Sequence, residues 1–149
     1  MVDNMIKSDL VSICVPVYNG ELYIKNTLLS IMAQTYDNLE ILISDNCSND
    51  LTYSILAELQ LIDKRIVLFK QKTNIGYANN ILFLVNHSKG DYVAIYHADD
   101  IYDKTIIQKQ YLMSKKYCLD LCFVKMIKMY ENTKLYDDYS FLDNKRKKY

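Results

Sequence analysis

The hydrophobic pattern of the chain alternates between two periods. Leu10 to Val17 (LVSICVPV) is a short apolar, β-branched run that stops at Tyr18-Asn19-Gly20, a turn signal. Ile24, Leu28, Ile31 and Met32 then recur at i, i+4, i+7 and i+8, one face of a helix. Leu39 to Ile43 (LEILI) predicts a second strand. Leu51, Ile55, Leu59 and Ile62 mark a second helix, which Asp50 or Ser48 could cap. Arg65 to Phe69 is a third, short strand. A helix from Ile75 to His87 follows, with Ile81, Leu84 and Val85 inward and Asn74 as its cap. Tyr92 to Tyr96 (YVAIY) is a fourth strand and Thr105 to Lys115 a fourth helix, and Leu119 to Tyr130 contains a fifth strand.

Strands separated by helices imply right-handed βαβ units, hence an α/β fold with a mainly parallel sheet and helices on both faces. Ligands of such sheets bind beyond the carboxyl ends of the strands, where the strand order reverses. The strand ends are therefore the place to look for chemistry. The expected organisation is a lead-in over residues 1–9, one domain over 10–131 and a charged tail over 132–149.

Charge narrows the function classes. With 18 basic and 18 acidic residues the net charge is zero, so no overall field invites nucleic acid. Four consecutive cations, Lys145 to Lys148, leave 14 basic against 18 acidic residues elsewhere. A solvated terminus is the plain reading of that tail; peripheral contact with anionic lipid is the sharper one. Cys14, Cys47, Cys118 and Cys122 form no CxxC pair and have no histidine at metal-ligand spacing. Met1 to Asp9 is polar and no stretch approaches the roughly 18 apolar residues of a membrane span. A reduced, cytoplasmic protein is expected, with the inner face of the membrane as its one candidate surface.

Two strands run straight into acidic loops. Ser44-Asp45-Asn46-Cys47-Ser48-Asn49-Asp50 follows LEILI, and His97-Ala98-Asp99-Asp100 follows YVAIY. Asp, Asn and Ser are ordinary turn residues, so either loop alone is a moderate signal. Adjacent Asp99 and Asp100 repel one another unless a cation compensates, and hard oxygen ligands suit Mg²⁺ or Mn²⁺ held together with a phosphate.

Taken together the motifs say more. VSICVPVYNG, LEILISDNCSND, TNIGYANN and GDYVAIYHADD, in that order and spacing, resemble the nucleotide-binding region of glycosyltransferase family 2. The resemblance covers about Val11 to Tyr130 and implies a Rossmann-like GT-A fold using nucleotide-diphosphate sugars with a divalent cation. By the resemblance Pro16, Val17, Tyr18 and Asn19 line the base pocket, and Asp45 contacts the base. Asn74, Gly76 and Asn80 match a segment near the nucleotide, and Asp99 and Asp100 match the end of the DxD-like motif that meets ribose and metal. The family often carries Asp where this chain has His97; a strand-end histidine reads first as a polar turn residue and second as a metal ligand.

A carboxylate at Asp45 accepts the N3–H of uracil or thymine, whereas the bare N3 of cytosine faces it acceptor to acceptor. An unpaired buried group costs about 1–3 kcal/mol, enough for base selection. UDP-sugars are favoured on that ground, and guanosine, whose N1–H also donates, stays open. Transfer to a glycan or lipid-linked acceptor needs a general base as well. Only 49 residues follow Asp100, and Glu131, Asp137, Asp138 and Asp143 lie in no matching motif. The chain therefore reads as a truncated or minimal glycosyltransferase, the alternative being an inactive binding module that needs a partner subunit for the acceptor half. A phosphoacceptor receiver would want a lysine after its last strand, and a dinucleotide dehydrogenase a GxGxxG after its first. Neither pattern is matched.

Overall fold

A computed structural model describes residues 9–122. Four strands and four helices alternate: β1 (Val11–Val17), α1 (Ile24–Met32), β2 (Leu39–Asp45), α2 (Thr52–Ile62), β3 (Ile66–Lys70), α3 (Tyr77–His87), β4 (Tyr92–Ile95) and α4 (Ile106–Tyr117). The chain divides into two compact units at Gln108. The first holds the whole sheet; the second, from Lys109, carries the rest of α4 and is described to Cys122. Leu119 to Cys122 is not in a strand. The remainder of the expected fifth strand, the boundary expected at residue 131 and the basic tail lie outside the described residues.

The sheet is entirely parallel in the order β3-β2-β1-β4. All seven residues of β1 are buried, as a strand covered on both faces requires. Cys14 on β1 and its register partner Leu42 on β2 pack against Leu84 of α3, with Phe69 and Phe83 alongside. Side chains alternate across a strand, so Ile13, Val15, Ile41 and Ile43 face the other side, where right-handed crossovers place α1 and α2. Fully burying each such side chain is worth about 1.5–3 kcal/mol.

At the amino ends of the strands Gly90 passes so close to β1 that a Cβ would meet Ser12 Oγ at 2.5 Å and Leu10 O at 2.8 Å. Ser12 donates to Glu40, and the Lys89 and Gly90 amides donate to Glu40 and to Ser12. This end of the sheet is closed. The carboxyl end is left for the site.

Three helix details differ from the periodicity reading. The face α2 buries is Thr52, Leu56 and Leu59 (i, i+4, i+7), while Leu51 and Ile62 are 64% and 71% exposed. Apolar residues occupy several faces of this helix, so its period carries little directional information. The cap expected from Asn74 is also corrected: the N-cap of α3 is Gly76 at φ 80°, whose own amide donates to Asn74 Oδ1. The cap expected at α2 is corrected too: its N-cap is Leu51, with no side-chain cap bond, while Asp50 just before it accepts the Thr52 amide and Ser48 turns to Asn19.

Candidate functional site

The strand order reverses at β1, since β2 and β3 lie to one side of it and β4 to the other. The carboxyl ends of β1, β2 and β4 therefore meet at the switch point, where such sheets bind ligands, and the loops after Val17, Asp45 and Ile95 leave the sheet there.

The first two loops are tied together. Asn19 N–H donates to Ser48 Oγ (2.9 Å), and Asn49 N–H returns to Asn19 Oδ1 (3.0 Å). Gly20 N–H donates to Thr52 Oγ1 at 2.8 Å. Glu21 and Asp50 exchange caps, Glu21 N–H to Asp50 Oδ2 at 3.2 Å and Leu51 N–H to Glu21 Oε2 at 2.9 Å. Asn19 and Cys47 both sit at positive φ, 50° and 66°. Such a conformation is uncommon for a residue with a Cβ and is held here by the surrounding bonds.

Asp45 ends β2 between these loops and is fully buried. Its Oδ1 accepts the Ser48 amide at 3.2 Å, but its Oδ2 has no hydrogen-bond partner. An unpaired buried carboxylate oxygen is costly, and among the described residues it is the sole buried side-chain polar atom left so.

Behind it lies a satisfied amide network. Asn46 donates to Asn74 Oδ1 (3.0 Å) and accepts the Ile75 amide (2.9 Å). Asn80 is 1% exposed and spends its amide on Ser44, accepting from Oγ at 2.6 Å and donating to the carbonyl at 2.9 Å. Gln71 also donates to Ser44 Oγ. Pro16 and Val17 are buried in β1, whereas Tyr18 and Asn19 are exposed beyond it.

The loop after β4 is fixed from below. Thr27 Oγ1 donates to Ala98 O, Ser30 Oγ accepts the Tyr102 amide, and Tyr102 stacks on Tyr96 at 3.9 Å. The Tyr102 hydroxyl accepts the His97 amide at 2.7 Å and lies 3.5 Å from Asp100 Oδ2. Burial, then the charge of Asp100, pushes that phenol well above its ordinary range. Asp99 is exposed and Asp100 half-buried. Among the described residues no three His, Cys, Asp or Glu side chains gather into a cation cage. Sequence reasoning missed Tyr77, whose hydroxyl meets His97 Nδ1 at 3.1 Å. Nothing in its local pattern marks it out, because the contact joins residues 20 apart.

A parallel sheet flanked by helices is an α/β, Rossmann-like fold, and it matches the solved GT-A glycosyltransferase structures below. The family model for glycosyl transferase family 2 matches residues 12–148, and the chain belongs to that family. An uncharacterized glycosyltransferase of Haemophilus influenzae is 42% identical over 100 residues, covering 67% of this chain and 31% of that protein. Among solved structures, S. aureus TarS 1-349 in complex with UDP superposes with a TM-score of 0.75 at 23% identity, covering 85% of this chain and 38% of that one. The mannosyltransferase PcManGT of Pyrobaculum calidifontis, in complex with GDP-Man and Mn²⁺, has a TM-score of 0.61 at 26% identity, covering 64% and 29%. The chain thus spans about a third of the length of these relatives.

Proposed function

We propose that this chain binds the donor of a glycosyl transfer, a nucleotide-diphosphate sugar with uridine preferred, for delivery to a glycan or lipid-linked acceptor. The observation that carries the reading is Asp45 Oδ2, a buried, unpartnered acceptor at the carboxyl end of β2, beside the switch point. The N3–H of uracil is the donor it lacks. Tyr18, Asn19, Asp45, Asp99 and Asp100 meet the nucleotide in this reading. Asn74 offers its side-chain N–H as well, its Oδ1 being taken by Asn46 and Gly76, while Pro16, Val17, Gly76 and Asn80 shape the walls, Asn80 having its amide committed to Ser44.

Asp99 and Asp100 suit Mn²⁺ or Mg²⁺, because such ions bind through one or two carboxylates plus substrate phosphate oxygens rather than an all-protein cage. When bound, the ion acts as a Lewis acid that neutralises charge on the departing diphosphate. A donor-binding module that relies on a partner subunit for the acceptor is the second reading. Four free cysteines support a reduced, cytoplasmic setting, and among the described residues no helix is long and apolar enough to cross a membrane.

The test is a thermal-shift panel of nucleoside diphosphates with and without Mn²⁺. UDP with Mn²⁺ should raise the melting temperature more than either alone, adding about 2.7 kcal/mol at 100 times the dissociation constant. No shift with any nucleoside diphosphate at millimolar concentration refutes the reading.

A further inference from the structure

Beside its apolar stripe α1 carries a polar row. Thr27 and Ser30, with Gln34 just past the end of the helix, are spaced i, i+3 and i+7. Thr27 is fully buried and Gln34 is 6% exposed. Buried polar groups are costly unless they are bonded, and each of the three reaches the loop after β4. Thr27 Oγ1 donates to Ala98 O at 2.9 Å, and Ser30 Oγ accepts the Tyr102 amide at 3.1 Å. Gln34 donates to Asp103 O at 2.8 Å and accepts the Ile107 amide at 3.2 Å.

The direction of the Thr27 hydroxyl separates packing from function. A helical threonine ordinarily turns its hydroxyl back to the carbonyl four residues earlier. Here that carbonyl, Tyr23 O, already accepts the Thr27 amide at 3.2 Å and lies 3.3 Å from the hydroxyl, so the shorter bond to Ala98 takes the hydrogen. Valine has the same shape and would fill the same space. What the oxygen adds is the tie to the loop.

Asp99, Asp100 and Ile101 thus form an arch with two pinned feet, Ala98 and Tyr102. The pins stand three residues apart on one helix, about 4.5 Å along its axis, so the helix fixes the span of the arch. Ser30 Oγ also donates to Thr27 O at 2.7 Å, which ties the pins to each other.

We propose that Thr27 is a positioning residue for the diphosphate end of the donor: by holding Ala98 it fixes where Asp99 and Asp100 present their carboxylates. The proposal rests on the donor-binding reading above. Thr27 acts through the loop and touches no ligand itself. The loop that carries Asp45 is tied instead to the loop after β1, through Asn19, Ser48 and Asn49. Loss of the Thr27 hydroxyl therefore weakens the diphosphate end and spares the base end.

Calorimetric titration of Thr27→Val, Thr27→Ser and Ser30→Ala with uridine and with UDP, both in Mn²⁺, tests this. In Thr27→Val the preference for UDP over uridine should fall about tenfold, the population shift that loss of one hydrogen bond can bring about. Uridine itself should stay within about twofold of wild type, since its pocket keeps every bond. Thr27→Ser retains the hydroxyl, and its preference should stay within about threefold of wild type. Ser30→Ala frees the other foot and should repeat the signature of Thr27→Val. An unchanged preference in Thr27→Val overturns the proposal; where that variant does not fold, an unchanged preference in Ser30→Ala does so. A parallel fall in uridine and UDP also overturns it, as the mark of a role in the whole domain. So does a Thr27→Ser preference as low as that of Thr27→Val. If the wild type binds neither ligand, the donor-binding reading fails and this proposal with it. Wild-type binding of uridine as tightly as UDP sinks the proposal alone.

Discussion

Asp45→Asn should invert the base preference of the site. In the wild type one carboxylate oxygen takes the Ser48 amide at 3.2 Å while the other is buried and unpaired. The Ser48 N–H fixes which way an asparagine settles, because the amide oxygen must stay on that donor. The amide NH₂ then occupies the place of Oδ2 and faces the base. Uracil N3–H would meet a donor and lose a hydrogen bond to a charged acceptor, worth about 1.5–3 kcal/mol. That is roughly a 10- to 150-fold loss in UDP affinity. Cytosine N3 gains the partner it lacked, worth about 0.5–1.5 kcal/mol for a neutral pair. CDP should therefore overtake UDP. The unliganded melting temperature should move by no more than about 2–4 °C, the equivalent of about 1 kcal/mol. Relief of the unpaired charge and weakening of the Ser48 bond oppose one another. Calorimetric titration of wild type and variant with UDP and CDP in saturating Mn²⁺ reads the ratio directly. If UDP still binds and its preference over CDP is unchanged, Asp45 does not touch the base and the reasoning fails.

Asp100→Asn should remove most of the stimulation of UDP binding by Mn²⁺ while uridine binding persists, since the half-buried carboxylate supports no core packing; titrations with and without metal check this. Asn80→Ala should cost about 2–4 kcal/mol in chemical denaturation, because two bonds to Ser44 are lost and buried polar groups are stranded. Cys14 should resist thiol reagents at pH 8 until the protein unfolds. Its thiol is pushed up to about 12, first by burial and then by the charge of Glu40, so almost no thiolate exists to react. Mass spectrometry after native and denatured labelling separates the cases, and native labelling of Cys14 contradicts the packing. Purified alone, the chain should show no acceptor-stimulated release of UDP from UDP-sugars near the usual enzymatic range of about 1–10³ s⁻¹. Turnover at that level would mark Asp137 or Asp138 as the candidate base.

The eight elements were legible because the strands are compact apolar runs and the segments between them have helical length and spacing. Helix faces were less legible: in α2, Ile55, Leu56, Leu59, Leu61 and Ile62 leave no unique face, and the sheet and α1 choose Leu56 and Leu59, while in α3 the run Ile81 to Val85 is apolar all round and Asn80 and Leu84 are the residues buried. The acidic loops were legible as turn chemistry at strand ends. Which of their residues are free and which are spent was not, since that depends on partners far along the chain. Asn80 reads like a binding residue, yet it is committed to Ser44 at a separation of 36 residues. The bond from Tyr77 to His97 is equally non-local, and no periodicity encodes it.

The interlocked loops also bear on how the molecule ages. Asn19-Gly20 is the dipeptide most prone to deamidation, in which the following amide nitrogen attacks the asparagine side-chain carbonyl to form a succinimide. Both reacting groups are occupied here: Gly20 N–H is held by Thr52, and the Asn19 carbonyl oxygen by Asn49. Ring closure demands that both bonds break and that the backbone leave its φ of 50°. The native loop is thus its own preservative, and isoaspartate at position 19 becomes a record of time spent unfolded.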